Sequence, residues 1–208
     1  MKLVYNIDDK RNYAMKVMNK RRLKSKFMGI GKNAYHMVEN ELAILKQIDH
    51  PNCVNLIEIM DDEEGCDKIY LIMEYISRGN LKDKIDKEGL DQNQCRRYFR
   101  DIIAGLEYCH EIAGVVHRDI KPENVMIDEN LSGKIVDFGV CFLMRDRTDD
   151  TITATAGTTL FFAPEMCMGE AFHGRATDVW AAGVTLWYML FKSYPFYAKT
   201  VSKAYDVI

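Results

Sequence analysis

The stretch Val116–Gly139, VHRDIKPENVMIDENLSGKIVDFG, constrains this chain more than any other, because it sets polar side chains between short apolar runs. Four of them stand out: Asp119, Lys121, Asn124 and Asp137. Asp119 lies in the loop His117-Arg118-Asp119 after a helical segment, Asn124 comes five residues later, and Asp137 closes the β-like run Lys134-Ile135-Val136. This layout supplies one carboxylate to accept a hydroxyl proton, and an amide and a second carboxylate whose oxygens suit magnesium. It is the layout of a phosphoryl-transfer site.

These residues, read as H-R-D-I-K-P-E-N and D-F-G, resemble the catalytic and metal loops of eukaryotic protein kinases. The resemblance implies an α+β, bilobal kinase fold, ATP and Mg2+ as cofactors, and a protein substrate that offers a hydroxyl. It assigns catalysis to Asp119 and Lys121, and the metal to Asn124 and Asp137. Within the same resemblance stands a second possibility, a pseudokinase that keeps the motif and serves as a binding scaffold.

The chain has 208 residues, 48% hydrophobic and 28% charged, which fits a soluble globular protein with a sizeable core. Its formal net charge of −3 gives no reason to expect nucleic acid or an anionic membrane as partner. The six cysteines (Cys53, Cys66, Cys95, Cys109, Cys141, Cys167) form no C-x-x-C pair and read as reduced thiols. No signal-peptide pattern is visible, and the longest apolar run, Val179–Phe191, is too short to span a bilayer and reads as a buried core helix. A cytoplasmic or nuclear location is the expectation.

From the start, Leu3-Val4-Tyr5 and Tyr13–Val17 read as a hairpin around the turn-prone Asn6–Asn12. Asn19–Lys26 reads as a solvated basic connector leading through Gly29 and Gly31 to a helix from about Asn33. That helix has Met37, Val38, Leu42, Leu45 and Ile48 at helical spacing and ends before His50-Pro51. Two further strands, Val54–Met60 and Lys68–Met73, flank the acidic turn Asp61–Gly65. Asp91–Ile112 carries the wide apolar stripe of a long core helix.

The resemblance gives several of these positions a role. Tyr13-Ala-Met-Lys16 is similar to the kinase strand whose lysine holds the ATP phosphates, and Glu41 matches the helix glutamate that pairs with it. Met73 falls at the gatekeeper position, and the backbone at Glu74 and Ile76 would bond adenine. The implied division is an N-lobe over 1–73, a hinge over 74–80 and a C-lobe over 81–208. His117 would pack under the metal loop, and Arg118 would pair with a phosphorylated residue. Asp137 to Glu165 has the length of an activation segment, with Thr148, Thr151, Thr153 and Thr155 as phosphoacceptor candidates. Thr158 matches the threonine that bonds the catalytic aspartate and lysine, and Asp178 the one that ties its helix to the catalytic-loop backbone.

Lys121 is the Ser/Thr-type choice, and stretches such as Glu41–Asn52 and Tyr98–Tyr108 resemble calcium/calmodulin-dependent protein kinase kinases and related activators of AMP-activated-type kinases. The substrate could then be another kinase. Here the animal enzymes' insert is replaced by the short basic Lys20–Lys32, and no calmodulin-binding tail is seen, so calmodulin is not an expected partner. The family's glycine-rich loop would precede Leu3 and its last helices would follow Ile208. A kinase fold truncated at both ends, weak or inactive by itself, is the expectation.

Overall fold

In the computed structural model, residues 1–25, 34–61, 67–197 and 201–208 are described. Lys26, Gly29, Gly31, the expected helix start at Asn33 and most of the acidic turn, Asp62 to Gly65, lie outside them.

The expected hairpin forms from β1 (Lys2–Asn6) and β2 (Arg11–Asn19), with Leu3 opposite Ala14. Its turn closes because Asn6 Oδ1 accepts the Asp8 N–H at 2.8 Å and Lys10 adopts a left-handed φ of 58°. Where a connector was expected, β2 runs directly into α1 (Lys20–Ser25). Asn19 caps it, Oδ1 accepting the Arg22 N–H at 2.8 Å. Arg21, Arg22 and Lys24 are solvated, but on a helix.

After α2 (Ala34–Leu45), β3 (Leu56–Asp61) and β4 (Lys68–Glu74) complete an antiparallel sheet of order β1-β2-β4-β3. Alternation in β4 buries Ile69, Leu71 and Met73 on one face, and the register puts Lys16 opposite Leu71. On α2, Val38, Glu41 and Leu45 recur at helical spacing and are all buried. Glu41 therefore points into the molecule from an otherwise apolar stripe.

Asn80 caps α3 (Leu81–Glu88), and a capping box of Asp91 and Gln94 opens α4 (Gln92–Glu107). Cys95, Tyr98, Ile102 and Leu106 are its buried stripe. The expected α-helix to Ile112 changes at Tyr108 into a π-helical turn, Tyr108–Ala113. Its wider winding turns Cys109, His110 and Ala113 inward together and leaves Glu111 and Ile112 outside.

Four short strands follow: β5 (Val115–Val116), β6 (Val125–Ile127), β7 (Gly133–Ile135) and β8 (Phe142–Leu143). Pairing of β5 with β8 and of β6 with β7 draws the loops after β5 and β7 together. Then β9 (Thr151–Ile152) pairs with β10 (Phe172–His173), which opens α5 (Gly174–Phe191), and α6 (Val201–Val207) follows.

Two expectations for α5 need correction. It begins at Gly174, five residues before the apolar run Val179–Phe191, because Asp150 receives the first N–H groups: its carbonyl that of Gly174 and its Oδ2 that of Arg175, each at 2.9 Å. Nor is it buried all round. Asp178, Ala182, Thr185 and Met189 are buried, whereas Val179, Trp187, Leu190 and Phe191 are exposed. A continuous apolar run does not record which of its faces is covered. Among the described residues, no helix is long and apolar enough to cross a membrane.

Candidate active site

Asp178 is the foundation of the catalytic-type loop. Only 1% exposed, it accepts the His117 N–H on Oδ2 at 2.7 Å, the Arg118 N–H on Oδ1 at 2.8 Å, and His110 Nε2 at 2.8 Å. Two backbone donors of a loop that reaches a left-handed φ of 67° at Arg118 are thus satisfied by one carboxylate.

His117 locks the next layer. Its ring meets Phe138 edge-on at 5.2 Å, Nε2 donates to the Val136 carbonyl at 3.1 Å, and Nδ1 accepts the Asp119 N–H at 3.3 Å. Both nitrogens are engaged as a neutral imidazole, and burial pushes its pKa below the usual histidine value. It is a structural histidine, as the resemblance implies.

Asp119 is held from three sides. Thr158 Oγ1 donates to Oδ1 at 2.7 Å, Lys121 Nζ to Oδ2 at 2.7 Å, and Asn124 Nδ2 to Oδ2 at 2.9 Å. Lys121 Nζ also donates to Thr158 Oγ1 at 2.7 Å. A 3-10 turn, Pro122–Asn124, returns the amide to its own loop, where Nδ2 also meets the Asp119 carbonyl at 2.8 Å. The amide nitrogen is thereby engaged, and the amide oxygen remains as the ligand-type atom.

Across the site, Lys16 Nζ donates to Glu41 Oε1 at 2.5 Å and lies 3.9 Å from Asp137 Oδ1. The Glu41 side chain is 7% exposed and that of Asp137 57%. Lys16, Glu41, Asn124 and Asp137 line a cavity of about 470 Å³ whose other wall is apolar, including Ala14, Val54, Met73, Ile76, Met126 and Val136. Asn124 therefore joins the two halves, bonding Asp119 while facing the cavity. An amide oxygen and an exposed carboxylate make a hard oxygen donor set, of the kind magnesium takes together with phosphate oxygens.

Glu74 and Ile76 sit on the cavity wall. Glu74 Oε1 accepts both Lys134 Nζ at 2.9 Å and the Asn55 N–H at 2.8 Å, and its own N–H goes to the Asn55 carbonyl at 3.1 Å. The backbone N–H and C=O of Ile76 bond to no other described residue, which fits a pairing edge for a planar base.

In the segment after Asp137, Thr148, Thr151, Thr153 and Thr155 are all exposed and none touches Asp119. Thr148 bonds Asp146, Thr151 lies in β9, and Thr155 Oγ1 donates to the Met166 carbonyl at 3.3 Å. Arg118 Nε donates to the Val140 carbonyl at 2.6 Å and its Nη1 to the Ala154 carbonyl at 3.4 Å. Burial of the guanidinium pulls its pKa below the ordinary arginine value.

The sequence reading assigned no role to Gly157. Its φ is +107°, and a Cβ there would stand 2.2 Å from the Arg118 carbonyl oxygen. Only glycine lets the segment press Thr158 onto Asp119. The lone glycine between Ala156 and Thr158 was the available signal.

A base-type carboxylate bonded to lysine, threonine and asparagine, beside a cavity lined by a lysine–glutamate pair and a second aspartate, defines a protein-kinase site. Comparison with known proteins agrees: the family model described as protein kinase domain matches residues 1–208, and the chain belongs to that family. It is 42% identical over 205 residues to a probable serine/threonine-protein kinase of Dictyostelium discoideum, covering 97% of this chain and 28% of the relative. Serine/threonine-protein kinase GRIK1 of Arabidopsis thaliana is 39% identical over 203 residues, covering 97% of this chain and 50% of the relative. A calcium/calmodulin-dependent protein kinase kinase of Caenorhabditis elegans is 36% identical over 215 residues, covering 94% and 39%. The chain is of the serine/threonine type and spans half or less of the length of these curated relatives.

Proposed function

We propose that the protein transfers the γ-phosphoryl group of Mg-ATP to a serine or threonine hydroxyl of another protein, in the cytoplasm or nucleus. The observation that carries this reading is the continuity of the two halves: Asn124 bonds Asp119 and lines the same cavity as Lys16, Glu41 and Asp137. Asp119 would orient the hydroxyl and take its proton, and Lys121, 2.7 Å away, would offset charge on the transferring group. Lys16, seated by Glu41, would hold the α- and β-phosphates. Asn124 and Asp137 would hold the magnesium, which supplies neutralisation of phosphate charge when bound. Ile76 and Glu74 would present backbone groups to adenine, with Met73 limiting the depth of the pocket.

The protein substrate we infer is itself a kinase. One similar relative is named a kinase kinase, and the motif stretches resemble that group. The scaffold alternative is less well supported, since all five of Lys16, Glu41, Asp119, Asn124 and Asp137 are present, with Lys16 bonded to Glu41 and 3.9 Å from Asp137, and Asn124 bonded to Asp119.

The test is phosphoryl transfer from labelled ATP to a kinase activation-segment peptide by the full-length protein. Lys16→Met and Asp137→Asn should each abolish transfer while leaving the circular dichroism spectrum unchanged. Activity retained in both would overturn the assignment.

A further inference from the structure

On α3 and α4, none of whose residues lines the cavity beside Asp137, a tyrosine hydroxyl without a partner stands among cations. Tyr98 is 1% exposed, and its ring packs at the start of β7, where a Cβ on Gly133 would lie 3.7 Å from its Cδ1. Its Oη makes no hydrogen bond among the described residues. It is not one of the sealed atoms that lack a partner, such as Asn55 Oδ1 and Thr185 Oγ1, so it opens to the surface. Burial raises the pKa of this phenol, and Lys84, Arg97 and Arg78 each pull it back, which sets all three cations around the hydroxyl. Among the described residues, the guanidinium groups of Arg78 and Arg97 have no hydrogen-bond or ion-pair partner. Lys84 pairs with Glu88 at 2.7 Å, but the Glu88 side chain is 68% exposed, and such a pair exchanges readily. The remaining acid nearby, Asp101, is already taken by the Gly133 N–H at 2.9 Å.

We propose that Arg78, Lys84, Arg97 and the Tyr98 hydroxyl form a docking site for a phosphorylated serine or threonine in an acidic segment of a protein partner. This goes beyond the phosphoryl-transfer reading and does not depend on it. The chemistry of the donors selects the ligand. Two guanidinium groups, an ammonium group and a phenol offer only donors, and three of the four carry charge. A phosphate monoester brings close to two negative charges and three acceptor oxygens, whereas a carboxylate brings one charge and two oxygens and leaves donors unused. The frame is held in place: the Arg78 N–H bonds the Ile127 carbonyl at 3.1 Å, the Gly79 carbonyl accepts the Ile127 N–H at 2.9 Å, and the Tyr98 ring is fixed by burial. Charge names the flanks of the partner segment. The first half of α4 exposes Arg96, Arg97 and Arg100 and no acid, so acidic residues beside the phosphate are favoured.

The test is binding of a short fluorescent peptide, a central phosphoserine flanked by aspartates, to the full-length protein, followed by anisotropy. Tyr98→Phe should weaken binding about fivefold, the scale of one hydrogen bond, and leave the urea midpoint unchanged, because the hydroxyl has no protein partner to lose. Arg78→Ala and Arg97→Ala should each weaken it about tenfold or more. Arg22→Ala, an exposed cation on α1, should change it by less than about twofold and so separates this site from general charge attraction. The same peptide with serine or glutamate at the centre should bind at least about tenfold more weakly. No binding up to about 1 mM, or binding unmoved by Tyr98→Phe and by both arginine variants, would overturn the site. Equal binding of the glutamate peptide would overturn the choice of phosphate. Inorganic phosphate that competes as well as the peptide would overturn docking of a segment. Tyr98→Phe and Arg97→Ala should transfer phosphate to an unphosphorylated peptide as the parent does. Absence of transfer in all three, with phosphopeptide binding intact, would overturn only the kinase reading.

Discussion

The two halves of the site are built on different supports. Asp119 rests on α5 through Asp178, and its carboxylate receives three side-chain hydrogen bonds from within the same layer. Lys16 and Asp137 meet at only 3.9 Å, and the Lys16–Glu41 bond joins a strand to a helix. The first half is set by the fold before any substrate arrives, whereas the second depends on how α2 sits against the sheet and the metal loop.

The largest effect separating the halves should come from Asp119→Asn. Removing the proton acceptor should cut phosphoryl transfer by about 10² to 10⁴-fold with little change in ATP affinity, measured by nucleotide titration. A parallel loss of ATP affinity would mean that the two halves are not separable. Next is Asp178→Ala, which leaves two buried N–H groups without an acceptor. It should lower the unfolding free energy by about 3 kcal/mol in urea denaturation. A cost below about 1 kcal/mol would show that α5 does not carry the base side.

Much of this was legible in the sequence because the chemistry uses side chains at short, fixed spacing. Asp119, Lys121 and Asn124 lie on one loop and bond one another there, with Thr158 the one side chain from outside the loop that bonds the Asp119 carboxylate. Lys16 and Glu41 needed the family pattern, since a lysine in a strand and an acid on a helix carry no signature of their own. Backbone events were harder to read. The helix α1 has the composition KRRLKS, with no apolar stripe, and only the cap residue Asn19 announced it. The π-helical turn at Tyr108 keeps a helical composition while changing which residues face inward. The bond from Asn40 Nδ2 to the Cys141 carbonyl, at 2.9 Å, left no sequence signal for a simpler reason: its partner is a backbone carbonyl, which every residue has.

A smaller effect tests the contact between the activation-type segment and the base side. Gly157→Ala forces a Cβ against the Arg118 carbonyl oxygen, at 2.2 Å, in a left-handed conformation. The segment must retreat, drawing Thr158 from Asp119. The expected result is about a tenfold loss of transfer, with a stability loss of about 1 to 2 kcal/mol. Unchanged activity would mean that the Thr158 contact is dispensable.

The smallest effect concerns the second acid that anchors a loop to α5. Asp150 is a rim counterpart of Asp178: Oδ2 accepts the Arg175 N–H at 2.9 Å and Oδ1 meets His173 Nδ1 at 2.8 Å. Partial burial alone would raise its pKa, but the Arg175 N–H and the His173 contact outweigh burial and hold it below the usual carboxylate value. A depressed folded-state pKa means that the stabilisation is complete above the unfolded value of about 3.9 and is lost as pH falls through the folded one. Asp150→Asn should therefore be less stable than the parent at pH 6, by less than about 1 kcal/mol given the exposed partner. The urea midpoints of the two proteins should converge as pH is lowered below 4, where the parent carboxylate protonates. Curves that stay parallel down to acid unfolding would show that the charge contributes nothing and that the amide–acceptor geometry, which asparagine keeps, is sufficient. In that case the two acids that join loops to α5, Asp150 from the loop side and Asp178 from the helix, would differ in kind, with only Asp178 using its charge.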